Sequence, residues 1–107
     1  MNKIDEALLD VKNEILSLPE MKEFLSLKAL IEQDKEIQRL DKEIHEHQKA
    51  MCKAKDDDEI YFKEKKLYED GLKLLNENPL YQNYLIAREN ARELLLEVKE
   101  QLQWFTL

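Results

Sequence analysis

Residues 37–59 read IQRLDKEIHEHQKAMCKAKDDDE. Ile37, Leu40, Ile44, His47 and Met51 recur at alternating steps of three and four. That spacing draws a narrow stripe with a period near 3.5, the geometry of a coiled coil or an antiparallel helical hairpin. The stripe stops at Lys53-Ala54-Lys55-Asp56-Asp57-Asp58-Glu59. Lysines close one helix there and aspartates open the next, each charge matching the dipole end it sits on. A tight αα-hairpin follows, with one of Asp56, Asp57 and Asp58 capping its second arm.

Upstream, the same helix is expected to run without a break from Pro19 to Lys55, on the order of 50 Å. Its opening is broadly apolar (Met21, Phe24, Leu25, Leu27, Leu30, Ile31), and Gln33 and His47 take seam positions that are ordinarily apolar. Ahead of it, Ile4, Leu8, Val11, Ile15 and Leu18 put one stripe along a short N-terminal helix. Ser17 with Glu20 fits a capping box, and Pro19 fits a first helical turn. Downstream, a third helix is expected from Glu59 to about Asn76. Gly71 lies inside it, where glycine costs about 1 kcal/mol against alanine and so marks a close helix crossing. Asn78-Pro79 opens a fourth helix. Tyr84, Ala87, Ala91, Leu94, Val98 and Phe105 stripe that helix, and Leu80, Tyr81, Leu85, Leu95 and Leu102 widen the stripe to two faces.

Composition narrows the class. The 107 residues include one glycine, two prolines and one cysteine, with a net charge of −7. A sheet fold draws on more glycine for its turns, and neither Gly-rich phosphate loop can be written with one. One cysteine excludes an internal disulfide framework and a Cys-based zinc cluster within one chain. The N-terminus MNKIDEALLD carries acids where a signal peptide needs an apolar run, and no stretch is long and apolar enough for a membrane span. A cytoplasmic location is the expectation. The acidic balance disfavours nucleic acid as a partner, since phosphate neutralisation needs an excess of Lys and Arg on one face. The expected architecture is therefore all-α: four helices in a single domain over 1–107, a long antiparallel helical hairpin with a short N-terminal helix, associating as a helical-bundle oligomer.

Chemistry is sparse. His45 and His47 point about 200° apart on a helix and cannot chelate one metal within the chain; His47 reads as a polar seam residue that fixes register. Cys52 sits among Lys49, Lys53 and Lys55, which favour a thiolate if exposed, against the plainer reading of an inert cysteine near a helix end. Glu69 with Lys73, and Lys28 with Glu32, read as routine surface pairs. Arg88 and Arg92, one turn apart and near Lys99, are either a phosphate or acidic-partner site or an ordinary exposed face. Trp104-Phe105 is either an interface anchor or simple packing. No catalytic, cofactor-binding or metal residue is assigned. The expected interface is Leu8, Val11, Ile15, Ile37, Leu40, Ile44, Trp104 and Phe105. Its physical basis is that a narrow seam on a helix of about 50 Å cannot be covered by one short neighbour.

Three stretches carry a family resemblance: Leu18-Pro19-Glu20-Met21-Lys22-Glu23-Phe24, then Ile44-His45-Glu46-His47-Gln48-Lys49, then Leu75-Asn76-Glu77-Asn78-Pro79-Leu80-Tyr81-Gln82-Asn83-Tyr84 before the Ala91 to Val98 helix. In this order and spacing the chain resembles the YlbF/YmcA family of small bacterial helical proteins, which includes YheA-like members. The resemblance implies an all-α hairpin-like fold that forms a homodimer or larger oligomer. It also implies a non-enzymatic regulatory role, in which relatives act as accessory factors of a membrane-attached endoribonuclease and affect competence, biofilm formation and sporulation. Some relatives hold iron–sulfur clusters through cysteines. Cys52 alone does not match that pattern, which favours the YheA-like branch and no cofactor. The functional expectation is a regulatory adaptor working through protein–protein contacts. The alternatives are a coiled-coil structural or holdase-type protein without a regulatory partner, a carboxylate enzyme, and an RNA binder using Arg88, Arg92 and Lys99.

Overall fold

The computed structural model describes the backbone of residues 2–106 and the side chains of residues 2–103. Regular structure among the described residues is entirely helical, in five α-helices: α1 (Lys3–Leu16), α2 (Pro19–Gln33), α3 (Lys35–Lys53), α4 (Asp58–Glu77) and α5 (Pro79–Thr106). The all-α expectation holds, but the number of helices is five, not four.

The extra break lies at Asp34, inside the helix expected to run from Pro19 to Lys55. Asp34 adopts an extended backbone (φ −79°, ψ 111°) and its side chain accepts from the Ile37 N–H at 2.9 Å. The Gln38 side-chain amide reaches back and donates to the Ile31 carbonyl at 2.8 Å. One residue thus ends α2 and starts α3, with polar groups on both sides satisfied. The seam is shorter as a result: α3 has 19 residues, about 28 Å at the helical rise.

The other corners also work through caps. Asn2 accepts from the Asp5 N–H at 2.8 Å to open α1. Asp57 accepts from Ile60 to open α4, and the Asp57 N–H donates to the Ala54 carbonyl, which closes the hairpin corner. Asn78 accepts from Leu80 and Tyr81 at the start of α5, while Gln82 donates to the Asn76 carbonyl. The expected capping box at Ser17 and Glu20 does not form. Ser17 stays in helical conformation as the last residue of the α1 corner, and its hydroxyl donates to the Glu14 carbonyl at 2.7 Å. Leu18 then takes the first bonds of α2 on its carbonyl, because the residue before a proline is pushed out of the helical region.

The chain divides into two compact units. The unit comprising residues 29–83 is built on the α3–α4 hairpin. Ile37, Leu40 and Ile44 of α3 and Leu75 of α4 are buried in it, Ile37 to 2% exposure. His47 lies beside Glu64 across the hairpin, Nδ1 to Oε2 2.6 Å, with both side chains partly buried. A carboxylate only accepts, so Nδ1 carries the hydrogen and donates. The seam position read as fixing register makes one cross-hairpin bond.

Gly71 lies in α4 against Ile44. A Cβ built there would stand 2.8 Å from Ile44 Cγ1, closer than carbon atoms approach without something shifting. Its backbone is ordinary, since no glycine has positive φ, so the glycine serves close approach, as the sequence implied.

Two measurements check this packing. Gly71→Ala gains helix propensity worth about 1 kcal/mol but drives a methyl into a β-branched, buried neighbour that is stiff at χ1, so urea unfolding should show a net loss of about 1–2 kcal/mol. A net gain would mean that α3 and α4 separate freely. Asp34→Ala should cost about 1 kcal/mol through loss of the cap; an unchanged or raised midpoint would indicate that α2 and α3 fuse into the single helix.

Candidate functional site

Apolar surface, not a constellation of reactive groups, is what the described residues present. The candidate site lies in the unit formed by residues 1–28 and 84–107. Its first part is α1. The apolar stripe follows from the spacing of Ile4, Leu8, Val11 and Ile15, all on one helical face. No residue of α1 is buried; Ile4 is 71% and Leu8 64% exposed, Val11 is exposed and Ile15 half-buried. Asp5 and Glu6 fill the first turn, and Asp10 and Glu14 follow at helical spacing beside the stripe.

The second part lies where α2 meets α5. Met21, Ala87 and Ala91 are buried, and Phe24 stacks on Tyr84 with centroids 5.8 Å apart and an interplanar angle of 21°. Beside Ala91 an open groove of about 350 Å³ remains. Its floor is Met21, Phe24, Ala91, Leu95 and Leu96; Arg88, Arg92 and Lys99 line it as well. A further apolar hollow continues along α5 at Val98 and Leu102. The three cations are exposed and belong to no ion pair among the described residues. Glu93 and Glu97 share a separate, polar hollow with Glu20 and Asn90, so positive and negative side chains of α5 are segregated.

The expected interface residues separate into three groups. Leu8, Val11 and Ile15 lie on the α1 stripe. Ile37, Leu40 and Ile44 are buried inside the hairpin of the other unit. The side chains of Trp104 and Phe105 lie outside the described residues. The groove was not anticipated from sequence, although Arg88, Arg92 and Lys99 were noted as a cationic set.

The remaining polar groups are accounted for locally. His45 bonds the Asp41 carbonyl one turn back at 2.8 Å, and His47 bonds Glu64, so the two rings do not converge. No group of three or more His, Cys, Asp or Glu able to hold a metal exists among the described residues. Cys52 is free and exposed, near His45, Lys49 and Lys53. The expected pairs Glu69–Lys73 and Lys28–Glu32 do not close among the described residues, where long exposed lysines gain little from fixing one geometry. Arg39 instead holds Glu36 at 2.6 Å and Glu43 at 2.9 Å. Its hydrogen bonds to Glu36 and Glu43 hold its proton more firmly than usual; the planar guanidinium fork fits carboxylates as an ammonium does not. No helix among the described residues is long and apolar enough to cross a membrane.

No curated protein and no solved structure matches the chain. A protein-family model described as control of competence regulator ComK, YlbF/YmcA, matches residues 4–103. With that match covering nearly its whole length, the chain belongs to the YlbF/YmcA family, a family of regulatory proteins linked to the control of competence.

Proposed function

We propose that this protein is a non-enzymatic regulatory adaptor that acts through protein–protein contacts and self-associates as a homodimer or a higher homo-oligomer. The observation that carries the reading is the α1 stripe, an amphipathic helix with no buried residue. An exposed apolar patch rimmed by polar residues marks an interaction site in a soluble protein. Leu8, Val11 and Ile15 are the proposed contacts on α1, with Trp104-Phe105 as a further anchor. Ile37, Leu40 and Ile44, also expected at the interface, are buried within the α3–α4 hairpin.

Family membership supports the regulatory side of the reading. On the resemblance set out above, the protein works as an accessory factor of an endoribonuclease, in control of competence, biofilm formation or sporulation. The lone Cys52 supports placing it in the YheA-like branch, since one cysteine per chain cannot supply a cysteine-held cluster.

Sedimentation tests the proposal. At micromolar concentration the protein should sediment as a dimer or larger, and Leu8→Asp should shift it towards monomer. Because Leu8 is 64% exposed within the chain, that substitution should leave the helical content nearly unchanged. A folded monomer at all accessible concentrations refutes self-association, and affinity capture that recovers no ribonuclease-associated protein refutes the accessory role.

A further inference from the structure

Arg88 and Arg92 sit one turn apart on α5, so two positive charges repel along the helix. The positions three and four residues from Arg88 are Tyr84, Leu85, Ala91 and Arg92, and those around Lys99 are Leu95, Leu96, Leu102 and Gln103. None is a carboxylate. Arg92 has Glu89 three positions back, yet none of the three groove cations has an ion-pair partner among the described residues. They line a groove whose floor is apolar.

α1 carries the complementary pattern. Asp10 and Glu14 are also one turn apart, along one edge of the apolar stripe. The residues three and four positions from Asp10 are Glu6, Ala7, Asn13 and Glu14, and those around Glu14 are Asp10, Val11, Ser17 and Leu18. No cation is in reach on the helix. One surface is thus an apolar groove with an unneutralised pair of cations at helical spacing. The other is an uncovered apolar helix with an unneutralised pair of anions at the same spacing.

We propose that the α2–α5 groove is the docking site for the α1 helix of a second copy of this chain, with Asp10 and Glu14 paired to Arg88 and Arg92 and the Leu8–Val11–Ile15 stripe on the groove floor. The inference rests on the self-association proposed above and names its surface. The chain's own α1 is not the occupant. It leaves α2 through Ser17 and Leu18, both held by backbone hydrogen bonds to Asn13, Glu14 and Ile15, and with that corner formed its stripe stays exposed. Each copy carries both surfaces, so the exchange is reciprocal and closes as a two-fold dimer. A helix of 14 residues is about 21 Å long and about 10 Å across. Sinking half its circumference into a groove twice over buries on the order of 1,300 Å² in total, within the range of specific interfaces.

The test reverses the charges in full-length protein. Arg88→Glu with Arg92→Glu gives a chain whose groove repels a native α1; Asp10→Arg with Glu14→Arg gives a chain whose α1 is repelled by a native groove. Each alone should dissociate, with dimer affinity falling roughly tenfold or more. An equimolar mixture should associate again, because each altered surface meets its complement. Far-UV circular dichroism reports whether the helices are intact. Where a reversal lowers helicity, Arg88→Gln with Arg92→Gln and Asp10→Asn with Glu14→Asn should weaken association in the same way. Wild-type association unaffected by either reversal overturns the docking but leaves self-association standing. Two folded variants that both dissociate yet fail to associate on mixing overturn it as well. A wild-type monomer overturns both readings together.

Discussion

Ile44 meets α4 at the one position in the chain that has no side chain. With Gly71 opposite, α3 and α4 approach closely enough for a narrow stripe of Ile37, Leu40 and Ile44 to be covered by a single neighbour. In the hairpin that results, the apolar seam is buried, the arms are joined by the His47–Glu64 bond, and the corner is closed by Asp57. A narrow seam uses up little apolar surface, however. Apolar surface stays exposed in each unit: Leu30, Ile60, Phe62 and Leu74 in the unit of the hairpin, and Ile4, Leu8, Leu95, Leu96 and Leu102 in the other.

The helices were legible because the 3.5 and 3.6 periods are strong in this sequence and glycine is nearly absent. Corners with familiar punctuation were legible too: Pro19, the aspartate run and Asn78-Pro79. Asp34 was not, because nothing around it is a glycine or a proline and the apolar stripe passes through it without losing phase. The signal was nevertheless present in another form. Asp34 and Asn78 are both single-residue junctions, and in each a glutamine four positions later reaches back over the break to a carbonyl of the preceding helix, Gln38 to Ile31 and Gln82 to Asn76. An Asx residue followed at the fourth position by glutamine marks both junctions here. Ser17 shows the converse failure. It carries the spacing of a capping box, but α2 starts at Pro19 with Leu18 as the residue before it, and the Ser17 hydroxyl bonds the helix behind it.

The candidate surface divides along the same line. A stripe on one helix can be read from one stretch of sequence, so α1 was visible. A groove cannot, because its floor joins Met21 and Phe24 to Ala91, Leu95 and Leu96, residues that only the fold brings together. Without that floor, Arg88 and Arg92 read as an exposed face. The like-charge spacing of Asp10 and Glu14 could have been noticed, since like charges one turn apart weaken the helix that bears them.

Charge also decides how two such surfaces meet. An apolar stripe in an apolar groove fixes neither direction nor register, because aliphatic contact is non-directional. Two pairs of equal spacing fix register but still allow the helix to lie either way. Lys99 breaks the tie. If α1 ran antiparallel to α5, with Asp10 at Arg92 and Glu14 at Arg88, the seven residues from Arg92 to Lys99 would match the seven from Asp10 back to Lys3, and two ammonium groups would face each other. In the parallel setting, Asp10 meets Arg88 and Glu14 meets Arg92, while Lys99 lies just beyond the end of α1. The negative end of the helix dipole is there, and a lysine is stabilising. In the proposed docking, the parallel setting therefore brings the two arginines of the groove to the two acids of α1 and keeps Lys99 away from Lys3.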